Sequence, residues 1–360
     1  MKKTVLIAQE RSGFLKLAPL YTVLKKNGLL DPVPVLAVRS GEIAEYEALA
    51  SVFGMTGALR IVPVDGGTPV GETASLMLAF EQILVGLDAE FVVPGGHDNA
   101  AIAAALAASR MGIPVVSIDA GLRSYNRAEQ EEVNRLVIDS IAALHIVSEH
   151  SGAYNLINEG LSEEQLIFAG NTSIDSLVTL ITESNRSEVL RTFGLGPKRF
   201  VTALFGMPFR SETAANYDLL FKVLESIAAM ATVILPCAAE AVESLQETFG
   251  TIPGLQIIAM PGYVDLLRIL KESAFVLTDT EEFQSELTVM SVPCLTLRES
   301  TTRPATIEVG TNLLVAWDEQ EILERVSVIL SRKPAGKTLI PEKWDGASAA
   351  RIAAVLEKAV

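Results

Sequence analysis

Short runs of Val, Ile and Leu alternate with longer stretches of helical period along the whole chain, and that alternation admits few folds. A strand, a crossover helix and a further strand build a parallel sheet covered on both faces. The first series predicts strands at 4–8, 33–38, 60–64, 91–93, 115–119 and 144–147, with helices at 16–26, 42–53, 73–87, 100–111 and 129–142 between them. That makes six strand–helix units. The rhythm lapses at Glu183-Ser184-Asn185-Arg186-Ser187 and again at Gly194-Leu195-Gly196-Pro197, which places a linker at 184–198. A second series then predicts strands at 200–205, 232–235, 255–259, 275–278, 294–297 and 313–315. The expected class is α/β, with two Rossmann-like domains of parallel strands. Ligands of such sheets sit outside the carboxyl ends of the strands, so the two domains are expected to face a central cleft lined by strand-end loops.

A length of 360 residues allows each domain its own core. Hydrophobic residues make up 49% of the chain and the mean hydropathy is +0.35, yet no run reads as the roughly 18–20 apolar residues that span a bilayer. Met1-Lys2-Lys3 opens a first strand rather than a signal peptide, because the apolar run after it stops at Gln9-Glu10-Arg11. The expectation is a cytoplasmic protein with no membrane partner. A formal charge of −15 repels a polyphosphate backbone, so nucleic acid is not expected as a partner either. Cys237 and Cys294 stand far apart with no His nearby, which suggests neither zinc nor a disulfide; both read as small buried residues. No metal and no cofactor are implied.

Candidate chemistry lies at the strand ends. After 91–93 comes Pro94-Gly95-Gly96-His97-Asp98-Asn99, where glycines permit close backbone approach to a ligand and Asp98 or Asn99 caps the next helix. His97 stands in the same turn. The next strand ends at Asp119, and a carboxylate leaving a buried strand is costly unless paired or functional. Its structural alternative is a salt bridge to Arg123. Glu129, Glu131 and Glu132 open a helix whose dipole their charges complement. In the second half, Thr280 reads as an N-cap with Glu281 and Glu282 as first-turn acids.

The segments Ser117-Ile118-Asp119-Ala120-Gly121-Leu122-Arg123, Glu131-Glu132-Val133-Asn134-Arg135 and Gly170-Asn171-Thr172-Ser173-Ile174-Asp175 together resemble the UDP-N-acetylglucosamine 2-epimerase family in order and almost in spacing. The likeness extends to Arg11 with Lys16-Leu17-Ala18-Pro19, to 277–286, to Thr301-Thr302-Arg303-Pro304 and to Asp345-Gly346-Ala347-Ser348. It implies a GT-B fold: a first domain over 1–183, a nucleotide-binding-type domain over 199–345, and a terminal helix within 346–360 crossing back to the first domain. It also implies C2 epimerisation of a nucleotide sugar by elimination and re-addition of UDP. On this resemblance Asp119 and Glu131 take the places of catalytic glutamates. His97 falls on the family's third acid, with Asp98 one position displaced. Arg11, Lys16, Thr280, Gln284, Glu286 and Arg303 form the substrate-binding set, with Glu286 on the ribose and Arg303 on UDP. A nucleotide sugar or related small molecule is the expected ligand, and a homodimer is among the expected assemblies.

The chain departs from the family at several turns. The region of a Gly-His-Arg-Arg-Glu turn reads Ala203-Leu204-Phe205-Gly206-Met207-Pro208-Phe209-Arg210, a Thr-Gly-Gln-His turn is replaced by Ala37-Val38-Arg39-Ser40-Gly41, and a glutamate after the first strand has become Gly13. A Ser-Gly-Gly helix start has become Thr280-Glu281-Glu282, which sets negative charge where a diphosphate would bind. These departures leave two alternatives beside the epimerase: GT-B glycosyl transfer or hydrolysis on another activated sugar, and a non-catalytic binding or partner protein.

Overall fold

The computed structural model describes residues 2–64, 66–206, 214–331 and 339–359. The chain divides into two compact units, one formed by Met1–Thr179 with Glu342–Val360 and the other by Leu180–Pro341. Each is a parallel sheet wrapped by helices.

In the first unit, β1 (Lys2–Ala8), β2 (Leu30–Val38), β3 (Arg60–Pro63) and β4 (Ala89–Pro94) take the order β3-β2-β1-β4. A bridge between Val92 and Val115 carries the sheet on to β5 (Val116–Ile118), β6 (Leu144–Val147) and β7 (Leu166–Phe168). The seventh strand corrects the count of six units expected from the sequence. Leu166-Ile167-Phe168 is three half-buried residues long, too short to show a period. The order reverses at β1/β4, and this switch point places the loops after those two strands side by side.

The second unit pairs β8 (Phe200–Leu204), β9 (Thr232–Cys237), β10 (Leu255–Ala259), β11 (Val276–Thr278), β12 (Cys294–Thr296) and β13 (Asn312–Leu314) in the order β10-β9-β8-β11-β12-β13. Here all six expected strands form. The stretch expected as a linker is packed: Val189, Leu190 and Leu195 join Phe200, Ile234, Ile258 and Ile269 in one core cluster. Its polar turns hid three buried side chains. The division between units falls earlier, between Thr179 and Leu180, inside the Thr172–Arg186 helix.

The helix expected at 73–87 runs Pro69–Leu87, and by length and composition it is long and apolar enough to cross a membrane. Its Leu76, Phe80, Leu84 and Leu87 recur at helical spacing and are buried in the core of the first sheet. Glu72 in its first turn accepts from Gln9 and Asn99, so the helix is bound to the loops after β1 and β4.

The terminal segment belongs to the first unit through specific bonds. Trp344 Nε1 donates to the Ser148 carbonyl at 2.9 Å, and Lys343 Nζ to that of Phe168 at 2.8 Å. The Ser348–Lys358 helix has no side-chain cap of its own; Asp175 supplies one by accepting from the backbone N–H groups of Ser348 (3.2 Å) and Ala349 (2.9 Å). Asp175→Ala removes both acceptors from a buried helix start, and about 1–3 kcal/mol of stability is expected to go with them. Urea unfolding measures the loss, and hydrogen exchange places it at 348–351.

Candidate active site

The loops after β1, β4 and β5 are built by backbone constraint. A Cβ on Gly95 would lie 2.5 Å from the Gly13 carbonyl oxygen, so the turn after β4 abuts the start of the Arg11–Asn27 helix. The closeness that Gly95 permits is spent on Gly13, not on a ligand. It also accounts for Gly13, since a Cβ there would meet the Gly95 carbonyl group at 3.3 Å. After β5, Asp119 takes φ +58°, a strained conformation that Asp tolerates better than most residues. Gly121 follows at φ +79°, and a Cβ there would be 2.1 Å from the Gly152 carbonyl oxygen. The Asp119-Ala120-Gly121 turn is thereby fixed.

Asp119 is buried and ion-paired with Lys16 Nζ at 2.8 Å. The alternative partner, Arg123, goes elsewhere: it bridges Asp139 and Glu159, each at 2.7 Å. Lys16 is itself buried on the Arg11–Asn27 helix. Two adjacent charges taken out of water need each other.

Asp98 caps the Asn99–Arg110 helix, accepting from Ala101 N at 2.8 Å, and also accepts from the backbone of Glu10. Burial pushes its carboxyl above the usual range; the Glu131 carboxylate adds to the rise, while Lys16 opposes it. Asp98, Glu131 and the Lys16–Asp119 pair therefore form one electrostatic cluster. His97, half-buried, lies in the same turn. Glu131 is exposed on the first turn of the Gln130–Ile141 helix, 3.8 Å from Arg135. Arg11 pairs with Glu45 at 3.3 Å.

Asp98→Asn separates the two roles of this side chain, because Asn caps a helix as well as Asp but does not titrate. A carboxyl raised in the folded state stabilises below its unfolded value, and that contribution is lost as pH rises through the folded value. The Asn variant is therefore expected to gain stability relative to the parent between pH 4 and pH 8, whereas Asp98→Ala loses about 1 kcal/mol with the cap. Thermal unfolding across that interval measures both.

Other residues hold this set in place, and single-position reading missed them. Glu132 is buried; it accepts from the backbone of Ser124 (2.9 Å) and Tyr125 (3.0 Å) and from Arg135 (3.0 Å), a larger role than complementing a dipole. Gln9 donates to Glu72 at 2.8 Å and accepts from Ala100 N at 2.9 Å. Tyr46 donates to the Gln9 carbonyl at 3.0 Å. A polar side chain one residue past a strand run was the available signal.

In the second unit the expected helix start is corrected. The helix runs Gln284–Val289, and its N-cap position is Phe283, which offers no acceptor. Thr280 lies in the preceding turn, where its N–H donates to Thr278 Oγ1 at 3.1 Å. Glu281 does not sit in a first turn: its carboxylate accepts from Thr302 N at 2.8 Å and from the Thr302 hydroxyl. Two donors hold it better than a helix dipole does. Gln284 is fully buried, and its amide is engaged by Thr296 and Thr301, so it supports the 301–303 loop. Glu286 and Arg303 are both buried. In the turn after β8, Met207, Pro208, Phe209 and Arg210 lie outside the described residues. Cys237 and Cys294 are buried thiols, and burial pushes Cys294 up to about 12. Among the described residues no group of His, Cys, Asp or Glu could hold a metal ion.

A family model described as UDP-N-acetylglucosamine 2-epimerase matches residues 55–357. The chain belongs to the UDP-N-acetylglucosamine 2-epimerase family. A relative named UDP-N-acetylglucosamine 2-epimerase, from Methanococcus maripaludis, is 31% identical over 282 residues, covering 74% of this chain and 76% of the relative. The structure of the Methanocaldococcus jannaschii UDP-GlcNAc 2-epimerase in complex with UDP-GlcNAc and UDP has a TM-score of 0.85 at 26% identity, covering 99% of this chain and 100% of that one. A Listeria monocytogenes structure described as a UDP-N-acetylglucosamine 2-epimerase superposes with a TM-score of 0.90 at 22% identity, which bears on the fold. The family and the GT-B class expected from the sequence both stand.

Proposed function

We propose that this chain is a nucleotide-sugar 2-epimerase that acts on UDP-N-acetylglucosamine or a close analogue. The relatives' names and the ligands of the Methanocaldococcus structure support the substrate class. The observation that carries the chemistry is the pairing of unlike carboxyl groups. Asp119 is held as the anion by Lys16, while burial favours the neutral form of Asp98.

Inversion at C2 by elimination needs proton carriers on both faces of the sugar. One carboxylate takes the C2 proton, the C–H electron pair becomes the C1=C2 bond, and UDP leaves with the C1–O pair. UDP then adds back to C1 while a proton reaches C2 from the other face. Asp119 and Glu131 are the proton carriers in this reading, with Asp98 or His97 as the third. On the family resemblance Arg303 contacts UDP and Glu286 accepts from ribose hydroxyls, while Lys16 keeps Asp119 ionised. The balance of atoms calls for no redox cofactor.

Incubation with UDP-N-acetylglucosamine in deuterium oxide tests this. Deuterium at C2 of both epimers is the expected result. UDP release with free sugar and no exchange points to hydrolysis, and UDP binding without either points to a non-catalytic relative. The same reading carries a homodimer, which light scattering tests.

A further inference from the structure

The Gln130–Ile141 helix bears Glu131, and its neighbouring side chains reach the turn that bears His97 and Asp98. Asn134 Nδ2 donates to the His97 carbonyl at 2.7 Å and sits 3.5 Å from that of Asp98. Gln130 Nε2 donates to Asn99 Oδ1, and Asn99 Nδ2 donates to Glu72 at 2.9 Å. Asn134 is buried. Three elements are thus tied: the Gln130–Ile141 helix, the 97–99 turn and the Pro69–Leu87 helix. The helix could be anchored without these bonds, since Glu132, itself held by Arg135, already binds it to the 124–125 backbone.

We infer that Asn134 is a positioning residue, whose carboxamide fixes the His97–Asp98 turn against Glu131 so that proton carriers on separate elements keep one spacing. This rests on the epimerase reading for its catalytic meaning, but the clamp itself is a property of the fold. Only a donor serves at this position, because it faces carbonyl oxygens. Asp at 134 has nearly the shape of Asn yet presents acceptors and a negative charge to them, beside an Asp98 that already carries like-charge repulsion from Glu131. Misplacement of a reacting group by about 1 Å costs roughly 100-fold in rate.

The test uses the full chain with Asn134→Ala and Asn134→Asp. Hydrogen exchange of the Asn99–Ile102 amides, which follow the clamped turn, is expected to accelerate at least tenfold in Asn134→Ala, while the amides of β8 to β13 exchange as in the parent. In the C2 exchange assay, kcat is expected to fall about 100-fold with KM within threefold. For Asn134→Asp the alkaline limb of the kcat profile, where Asp98 loses its proton, is expected to move to higher pH, a shift that simple loosening would not produce. Unchanged protection at 99–102 in Asn134→Ala overturns the clamp, as does kcat within threefold of the parent. If the parent does not exchange C2 hydrogen at all, the epimerase reading falls, and the amide arm still decides the clamp. If Asn134→Ala does not fold, Asn134→Asp carries the same two readouts.

Discussion

Lys16→Met is expected to destabilise the protein by about 3–5 kcal/mol, because it removes the ammonium that is ion-paired with the buried Asp119 carboxylate. The two groups are 8% and 2% exposed and 2.8 Å apart, so water cannot replace the ammonium. The sign with pH follows from linkage. In the variant, desolvation raises the folded Asp119 value above its unfolded value, near 3.9. The penalty is then absent below the unfolded value and grows as pH rises through the folded one, so the variant recovers in acid and is weakest at neutral pH. Asp119→Asn in the same background removes the charge and keeps a residue that tolerates positive φ, and most of the loss is expected to return. Urea unfolding of parent, single and double variants at pH 5 and pH 7.5 measures this. A loss below about 1 kcal/mol at neutral pH would make the pair equivalent to an exposed one.

The architecture was legible because a buried parallel strand writes itself as a short apolar run, and twelve such runs are recovered as β1 to β6 and β8 to β13. β7 was not, since three residues carry no period. Asp119 could be singled out by its place after a strand, but its partner could not. Lys16 and Arg123 are both cations near enough in the fold, and only the closure of Asp139 and Glu159 around Arg123 decides between them. The same limit applies to Glu281. Local pattern matches it to a helix start, whereas a loop twenty-one residues downstream supplies its actual donors. Glu132 and Asn134 read as surface of an acidic helix until the 97–99 and 124–125 backbones are folded onto them. Long-range hydrogen bonds leave no period in a sequence.

Glu281→Gly is expected to tighten UDP binding at least tenfold. The Glu281 carboxylate already holds the Thr302 N–H and hydroxyl, donors that a phosphate oxygen at this turn would also seek. A diphosphate arriving there must displace the carboxylate or lie beside it. Like charges about 6 Å apart at an effective dielectric of about 20 repel by roughly 3 kcal/mol. Removing the side chain frees both donors and ends the repulsion, and each ~1.4 kcal/mol recovered is tenfold in affinity. Glu282 is exposed, so its charge is screened and Glu282→Gly alone is expected to change affinity less than threefold. The exchange carries a cost: the tie between the turn after β11 and the 301–303 loop is lost, along with about 1 kcal/mol of stability. Glu281→Gln should fall between, since one amide oxygen can still accept from Thr302 while the charge is gone. Calorimetric titration with UDP of the parent and the three variants separates these effects. Micromolar binding by the parent with its phosphates at this turn, or no gain in Glu281→Gly, would mean that Glu281 yields its donors to the ligand at little cost, and that the turn binds diphosphate despite its acid.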